Sequence, residues 1–182
     1  MKPKQLSRVD GAAEDSDDPL LAELYGRIRA QRGRILTIHR VVGHAPKLLR
    51  AQAAYAAAMR EESSLARDFQ ELLILRVAQV NDSAYEQSVH RPIALRLGVP
   101  AAKLDALPSW HQSALFDAKE RAALAYVEQA ARTGEVDDPT FAEVRQFFSA
   151  RQIVELTALV AWYVGNARFV RSLRIAPERE EN

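Results

Sequence analysis

Glu86 and His90 lie four positions apart, and Ser83 precedes Glu86 by three. On a helix this spacing sets all three on one stripe. A carboxylate beside an imidazole holds the ring in one tautomer and raises its pKa, so His90 could give or take a proton near neutral pH. Glu71 reaches the same stripe if its helix folds back antiparallel across a short turn at Asn81. A plainer reading stands beside this one. Glu71 follows Asp68 at capping-box spacing, and Glu86 with His90 fits an exposed helix pair of ~0.2 to 0.5 kcal/mol.

Other side chains bear on chemistry less directly. Tyr85 offers a hydroxyl, although helical spacing turns it about 100 degrees from Glu86 and equally suits the core. Arg168, close to Trp162 and Tyr163, fits either a substrate carboxylate, through its planar fork, or a subunit contact. Glu71, Glu86 and His90 would make an oxygen and nitrogen metal site, but Glu-x-x-x-His is too common on helices to assign one, and no metal or cofactor is expected. His39, His44 and His111 have no partner in sequence and read as surface or capping residues.

Composition narrows the field. The 182 residues contain no cysteine, which removes thiolate nucleophiles, disulfides and thiolate metal sites together. A formal net charge of +1 argues against a nucleic-acid surface or a polybasic membrane anchor. The most apolar stretch, Leu156 to Val164, is far shorter than the ~20 residues that span a bilayer. Residues 1–18 mix basic and acidic side chains without a secretory core. They are expected to form a mobile tail on a cytoplasmic protein, with a single domain over 19–176 and a charged tail over 177–182.

The elements that must position the stripe are all helical, because apolar residues recur at helical spacing from Pro19 onward. Asp18-Pro19 starts a helix that Gly33 stops, and Ala45-Pro46 starts another that runs to about Glu61. Asp68 with Glu71 opens a buried helix, and Asn81 or Asp82 caps the next, which Gly98 ends. Asp117 with Glu120, Asp138-Pro139 and Ser149 with Gln152 mark three further starts, the last helix running to about Arg174. Glu71 to Leu75 can be laid on Glu155 to Leu159. A duplicated helical unit explains that similarity, and chance in helix-forming composition explains it as well.

The stretches Arg67 to Ala78, Ser83 to His90 and Ala94 to Val99, in this order and spacing, resemble the carboxymuconolactone decarboxylase and alkylhydroperoxidase D superfamily. Lys119 to Leu124 and Ile153 to Leu159, with Trp162-Tyr163 and Arg168-Phe169, are similar to the second half of many small members. The resemblance runs from about Ile35 to Leu173 and implies an all-α, alkylhydroperoxidase D-like bundle assembled as a trimer or hexamer. The peroxidase branch carries Cys-x-x-Cys, then a His after three intervening residues, with a Glu twelve residues before the first Cys. Those positions fall on Ser83, Glu86, His90 and Glu71, so both sulfurs are absent. The decarboxylase branch places a Glu four residues before the His, as Glu86 stands before His90.

The resemblance therefore implies a cysteine-free, decarboxylase-like lyase acting on a small carboxylated or lactone-type molecule. His90, Glu86 and Glu71 are its catalytic candidates, and Ser83, Tyr85 and Arg168 its substrate-binding candidates. No thiol peroxidase activity is expected. The competing expectation is a non-catalytic oligomeric binding scaffold that has lost the redox site. A peroxidase borrowing a partner's thiol ranks behind both.

Overall fold

The structure, a computed structural model, describes residues 7–178. Its regular elements there are helices: α1 (Pro19–Arg32), α2 (Thr37–Val42), α3 (Pro46–Arg60), α4 (Arg67–Val80), α5 (Ala84–Arg96), α6 (Ala101–Ala106), α7 (Ala118–Thr133), α8 (Asp138–Phe147) and α9 (Ala150–Ser172), with a 3₁₀ turn at Leu107–Gln112. The short α2, α6 and 3₁₀ turn carry no long apolar periodicity and were not among the expected elements.

α4 is the central rod. Every residue from Gln70 to Ala78 is buried, as a helix enclosed by neighbours on all sides requires. It packs on α5, α7 and α9, while α1 and α2 pack on α3 and α3 leans on α9. Two layers result: a main core around Leu73, Ile74, Leu124 and Leu156, and a smaller one around Leu21, Tyr25 and Leu49. The site lies where these two layers meet.

α4 and α5 are joined by a three-residue turn. The Asp82 N–H donates to Gln79 O at 3.2 Å and the Ser83 N–H to Ala78 O at 2.8 Å, which closes the helix end in a Schellman arrangement. That closure needs a left-handed residue, and Asp82 supplies it at φ 50°. Aspartate tolerates this region better than most side chains. α5 then runs antiparallel to α4, bringing its inner stripe onto Glu71.

Several starts lie where sequence puts them. Asp18 accepts from Leu20 N and Leu21 N, Gly33 and Gly134 end their helices at positive φ, and capping boxes form at Asp117 with Glu120 and Ser149 with Gln152. The Asp68 and Glu71 box does not form: α4 starts at Arg67 after Ala66, which makes no side-chain cap. Ser83, rather than Asn81 or Asp82, caps α5. Asp137 caps α8 one residue before the expected start.

The chain ends also differ from free tails where they are described. Arg8 N donates to Leu173 O and Ala12 N to Arg40 O, so residues 7–18 lie against the body; residues 1–6 of the expected tail are outside the described residues. Glu178 accepts from Thr37 N at 2.7 Å and from the Tyr85 hydroxyl at 2.8 Å, so the start of the 177–182 tail docks on α2 and α5. Residues 179–182 lie outside the described span. Among the described residues α9 alone has the length and apolar composition to cross a membrane. Here that apolar surface serves the core, with Leu156, Leu159, Val160, Tyr163, Ala167 and Val170 buried.

Candidate active site

Burying a charge is costly unless it is paired, so buried polar groups mark where a fold has been spent on something other than packing. Among the described residues seven polar or charged side chains are buried, and Glu71, Ser83, Glu86 and His90 are four of them. They gather at the α4 and α5 contact.

His90 stands between two carboxylates. Its Nδ1–H donates to Glu71 Oε2 at 2.6 Å, and its Nε2 lies 3.4 Å from Glu86 Oε2. The other Glu71 oxygen accepts from Arg67 at 2.9 Å, so both oxygens of that carboxylate are engaged. Glu86 is less complete: its buried Oε1 has no hydrogen-bond partner among the described residues. The edge of one ring meets the face of the other where Tyr163 crosses His90, at 5.0 Å between centroids and 89° between planes.

This setting tunes the ring. Burial alone would lower the pKa of His90, but the hydrogen bonds and charges of Glu71 and Glu86 raise it above the ordinary value of 6.5. Burial alone would raise Glu71, and the His90 hydrogen bond and charge, with Arg67 and Arg60, instead hold it below its ordinary 4.5. The favoured state is an imidazolium clasped by carboxylates. Glu71 orients the ring through Nδ1, leaving Nε2 and Glu86 as the side where a proton can pass. Because the ring separates the carboxylates, the three groups do not converge on one point as metal ligands must.

Glu86 and His90 form part of the wall of a cavity of about 300 Å³ between α1, α2, α3, α5 and α9. Leu24, Ile28 and Leu49 make one apolar wall, and Trp162 and Tyr163 another. Burial, helped by the negative charge of Glu86 and Glu71, pushes the Tyr163 phenol up, so it stays protonated.

The remaining sequence candidates scatter. Tyr85 borders the cavity, but its hydroxyl is committed to Glu178, and burial with that carboxylate pushes its pKa up. Ser83 does not reach the cavity; its Oγ accepts from Glu86 N at 3.4 Å as the α5 cap. Arg168 is exposed on α9 and is not part of the cavity wall, because its helical phase turns it away from Tyr163. The arginines that do line the cavity are Arg32 and Arg60, with Arg27 and Arg50. No local pattern singles them out, since their convergence depends on how α1 and α3 pack. His39 does cap, its Nδ1 accepting from Leu36 N at 3.2 Å. It also faces the cavity, where burial and the charges of Arg32 and Arg60 push its pKa down to about 3.

The helical frame built on a buried α4 has the alkylhydroperoxidase D-like fold. Residues 46–129 match the carboxymuconolactone decarboxylase family, and the chain has no cysteine. The protein YnjA of Escherichia coli, itself uncharacterized, is 40% identical over 74 residues, which span 40% of this chain and 41% of YnjA. The alkylhydroperoxidase AhpD core of an uncharacterized peroxidase-related protein from Ralstonia eutropha superposes with a TM-score of 0.86 at 17% identity, covering 97% of this chain and 94% of that one. The debrominase Bmp8, solved in complex with 2,3,4-tribromopyrrole as a cysteine-to-alanine variant, gives 0.82 at 18% identity over 97% and 93% of the two chains.

Proposed function

We propose that this protein is an acid-base enzyme of the decarboxylase type, acting on a small carboxylated or lactone-type molecule. The observation that carries the reading is His90 held between Glu71 at 2.6 Å and Glu86 at 3.4 Å on the wall of a cavity. A conjugated lactone carries its own electron sink. The bond from carbon to the carboxylate breaks, its electron pair moves into the conjugated system, and carbon dioxide leaves. His90 then gives its Nε2 proton to the vacated carbon and is recharged from solvent past Glu86, while Glu71 keeps the ring aligned.

Thiol peroxidase chemistry has no place in this reading, because a chain without cysteine has no thiolate for peroxide to oxidise. A binding scaffold would be served as well by side chains facing bulk water, whereas buried Glu86 and His90 on a cavity wall, with buried Glu71 behind them, favour catalysis. The site is read as part of a homo-oligomer, a trimer or hexamer, in a cytoplasmic protein; exposed Leu48, Tyr55, Leu95, Leu97, Phe147 and Val154 support the assembly. A scattering mass equal to one chain at micromolar concentration would refute that assembly.

The test is a screen of carboxymuconolactone-type acids in D₂O, following carbon dioxide release. The expected product carries one deuterium at the vacated carbon and fails to form with His90→Ala. Release that is equally fast with the variant sinks the proposal.

A further inference from the structure

Arg32 ends α1 and Arg60 ends α3, and both line the cavity that holds Glu86 and His90. A cation at a helix C-terminus complements the helix dipole, which accounts for a basic residue at each end. It does not account for two of them turned into one cavity. Neither guanidinium has a hydrogen bond or ion pair with any described residue; of the other charged side chains on this wall, Arg27 pairs with Glu23, and Arg50 and Glu61 are exposed. Both are half-buried, and each raises the cost of the other's charge.

A third group marks the same spot as positive. His39 faces the cavity and is kept neutral by burial and by these two arginines. Because its Nδ1 accepts from Leu36 N, the ring proton sits on Nε2, so this residue too offers a donor. Donors and positive charge therefore collect at one part of the wall. Leu24, Ile28, Leu49, Ala53 and Val89 supply the apolar remainder. At about 300 Å³ the space is at the small end of ligand sites (~300 to 1,000 Å³).

We infer that Arg32 and Arg60 form an anion subsite that takes the carboxylate of an amphipathic acid, a single carboxylate on an apolar ring or branched body. Paired guanidiniums suit a planar carboxylate, which each fork can meet with parallel N–H donors. The apolar wall selects against small polar acids, because it gains only from a ligand that covers it. The inference rests on the acid-base reading for its meaning as a substrate subsite, but as a binding site it stands on the arginines alone.

Calorimetric titration of the full chain with benzoate, benzamide and acetate tests it. Benzamide keeps the ring without the charge, and acetate keeps the charge without the ring. Benzoate is expected to bind at least about tenfold more tightly than either. Arg32→Gln and Arg60→Gln should each weaken benzoate about tenfold or more with little effect on benzamide. Circular dichroism confirms that each variant folds, and Arg60→Lys, which keeps the charge, is expected to recover part of the loss. Equal binding of benzoate and benzamide, no benzoate binding at millimolar concentration, or glutamine variants that bind as wild type would each overturn the subsite. Arginine-dependent benzoate binding in a protein that releases no carbon dioxide from any acid would uphold the subsite and sink the decarboxylase reading instead.

Discussion

α4 contributes to two ion clusters, and they are built to different rules. Near its end Arg76 donates to Glu128 at 2.7 Å, and Trp110 Nε1 donates to the same oxygen at 3.1 Å. Arg132 takes the second Glu128 oxygen at 2.6 Å. Near its start Glu71 holds His90, which in turn faces Glu86. The Arg76 cluster uses a cation that never titrates, fills both carboxylate oxygens, and ties α4 to α7 and the 3₁₀ turn. Its one loose end is the unpartnered Arg76 Nε. The His90 cluster uses the one cation that titrates near neutrality, leaves Glu86 Oε1 open and lies on a cavity wall. Strong pairing alone therefore does not identify a functional site; a titratable partner, an open oxygen and a space beside them do.

Substitution separates the two clusters. Replacing His90 with Gln keeps a donor for Glu71 but removes the proton carrier, and turnover should fall by ~10² to 10⁴ with the helical content unchanged. Steady-state kinetics with the substrate found by the screen checks this, and a loss under tenfold would put His90 with the structural pairs. Replacing Arg76 with Met should do the reverse. Leaving the half-buried Glu128 with Arg132 alone should cost roughly 1 to 3 kcal/mol, read by denaturant unfolding, while kcat stays within a few-fold.

A smaller effect lies in the pH dependence of stability. His90 has a folded pKa above 6.5, so its contribution is complete below 6.5 and is lost as pH rises through the folded value. Glu71 has a folded pKa below 4.5, so its contribution is complete above 4.5 and is lost as pH falls through that lower value. The pair is worth most between about 4.5 and 6.5. His39 works against it on the acid side, since a folded pKa of about 3 costs stability as pH drops below 6.5. The difference between wild type and His90→Gln isolates the pair and should shrink at alkaline pH. Glu128 is held low by Arg76 and Trp110 against its burial, so the Arg76 cluster weakens only in acid, and the same difference taken for Arg76→Met should show no alkaline loss.

Much of this was legible in the sequence because it is local. Capping boxes at Asp117 and Ser149 depend on residues three apart, and the Glu86 and His90 stripe on residues four apart. Glu71 shows where local signals fail: three residues after Asp68 it has the form of a cap, yet burial on α4 commits it to His90. Its counterpart when α4 is laid on α9, Glu155, took the opposite path. Leu72 and Leu156 are both buried, but Glu155 is spent on Ser63, Ser64 and Arg151 at the surface. Arg32 and Arg60 were illegible for a different reason. They are 28 positions apart, and only the packing of α1 against α3 brings them to one cavity, whereas Arg168, close in sequence to the aromatic pair, turns outward.

The function proposed for the site depends on two carboxylates tuning one imidazole. Nitrogen-15 NMR titration of His90 measures this directly in wild type and in Glu86→Gln. The groups facing the ring are Glu71 from α4, Glu86 from its own helix and Tyr163 from α9, with Arg60 and Arg32 acting on Glu71 and Tyr163 from α3 and α1. A transition above 6.5 is expected in wild type, with a clear downward shift when Glu86 loses its charge. A wild-type transition at or below 6.5, or one that Glu86→Gln leaves in place, would contradict the tuning and with it the proton-transfer role of His90.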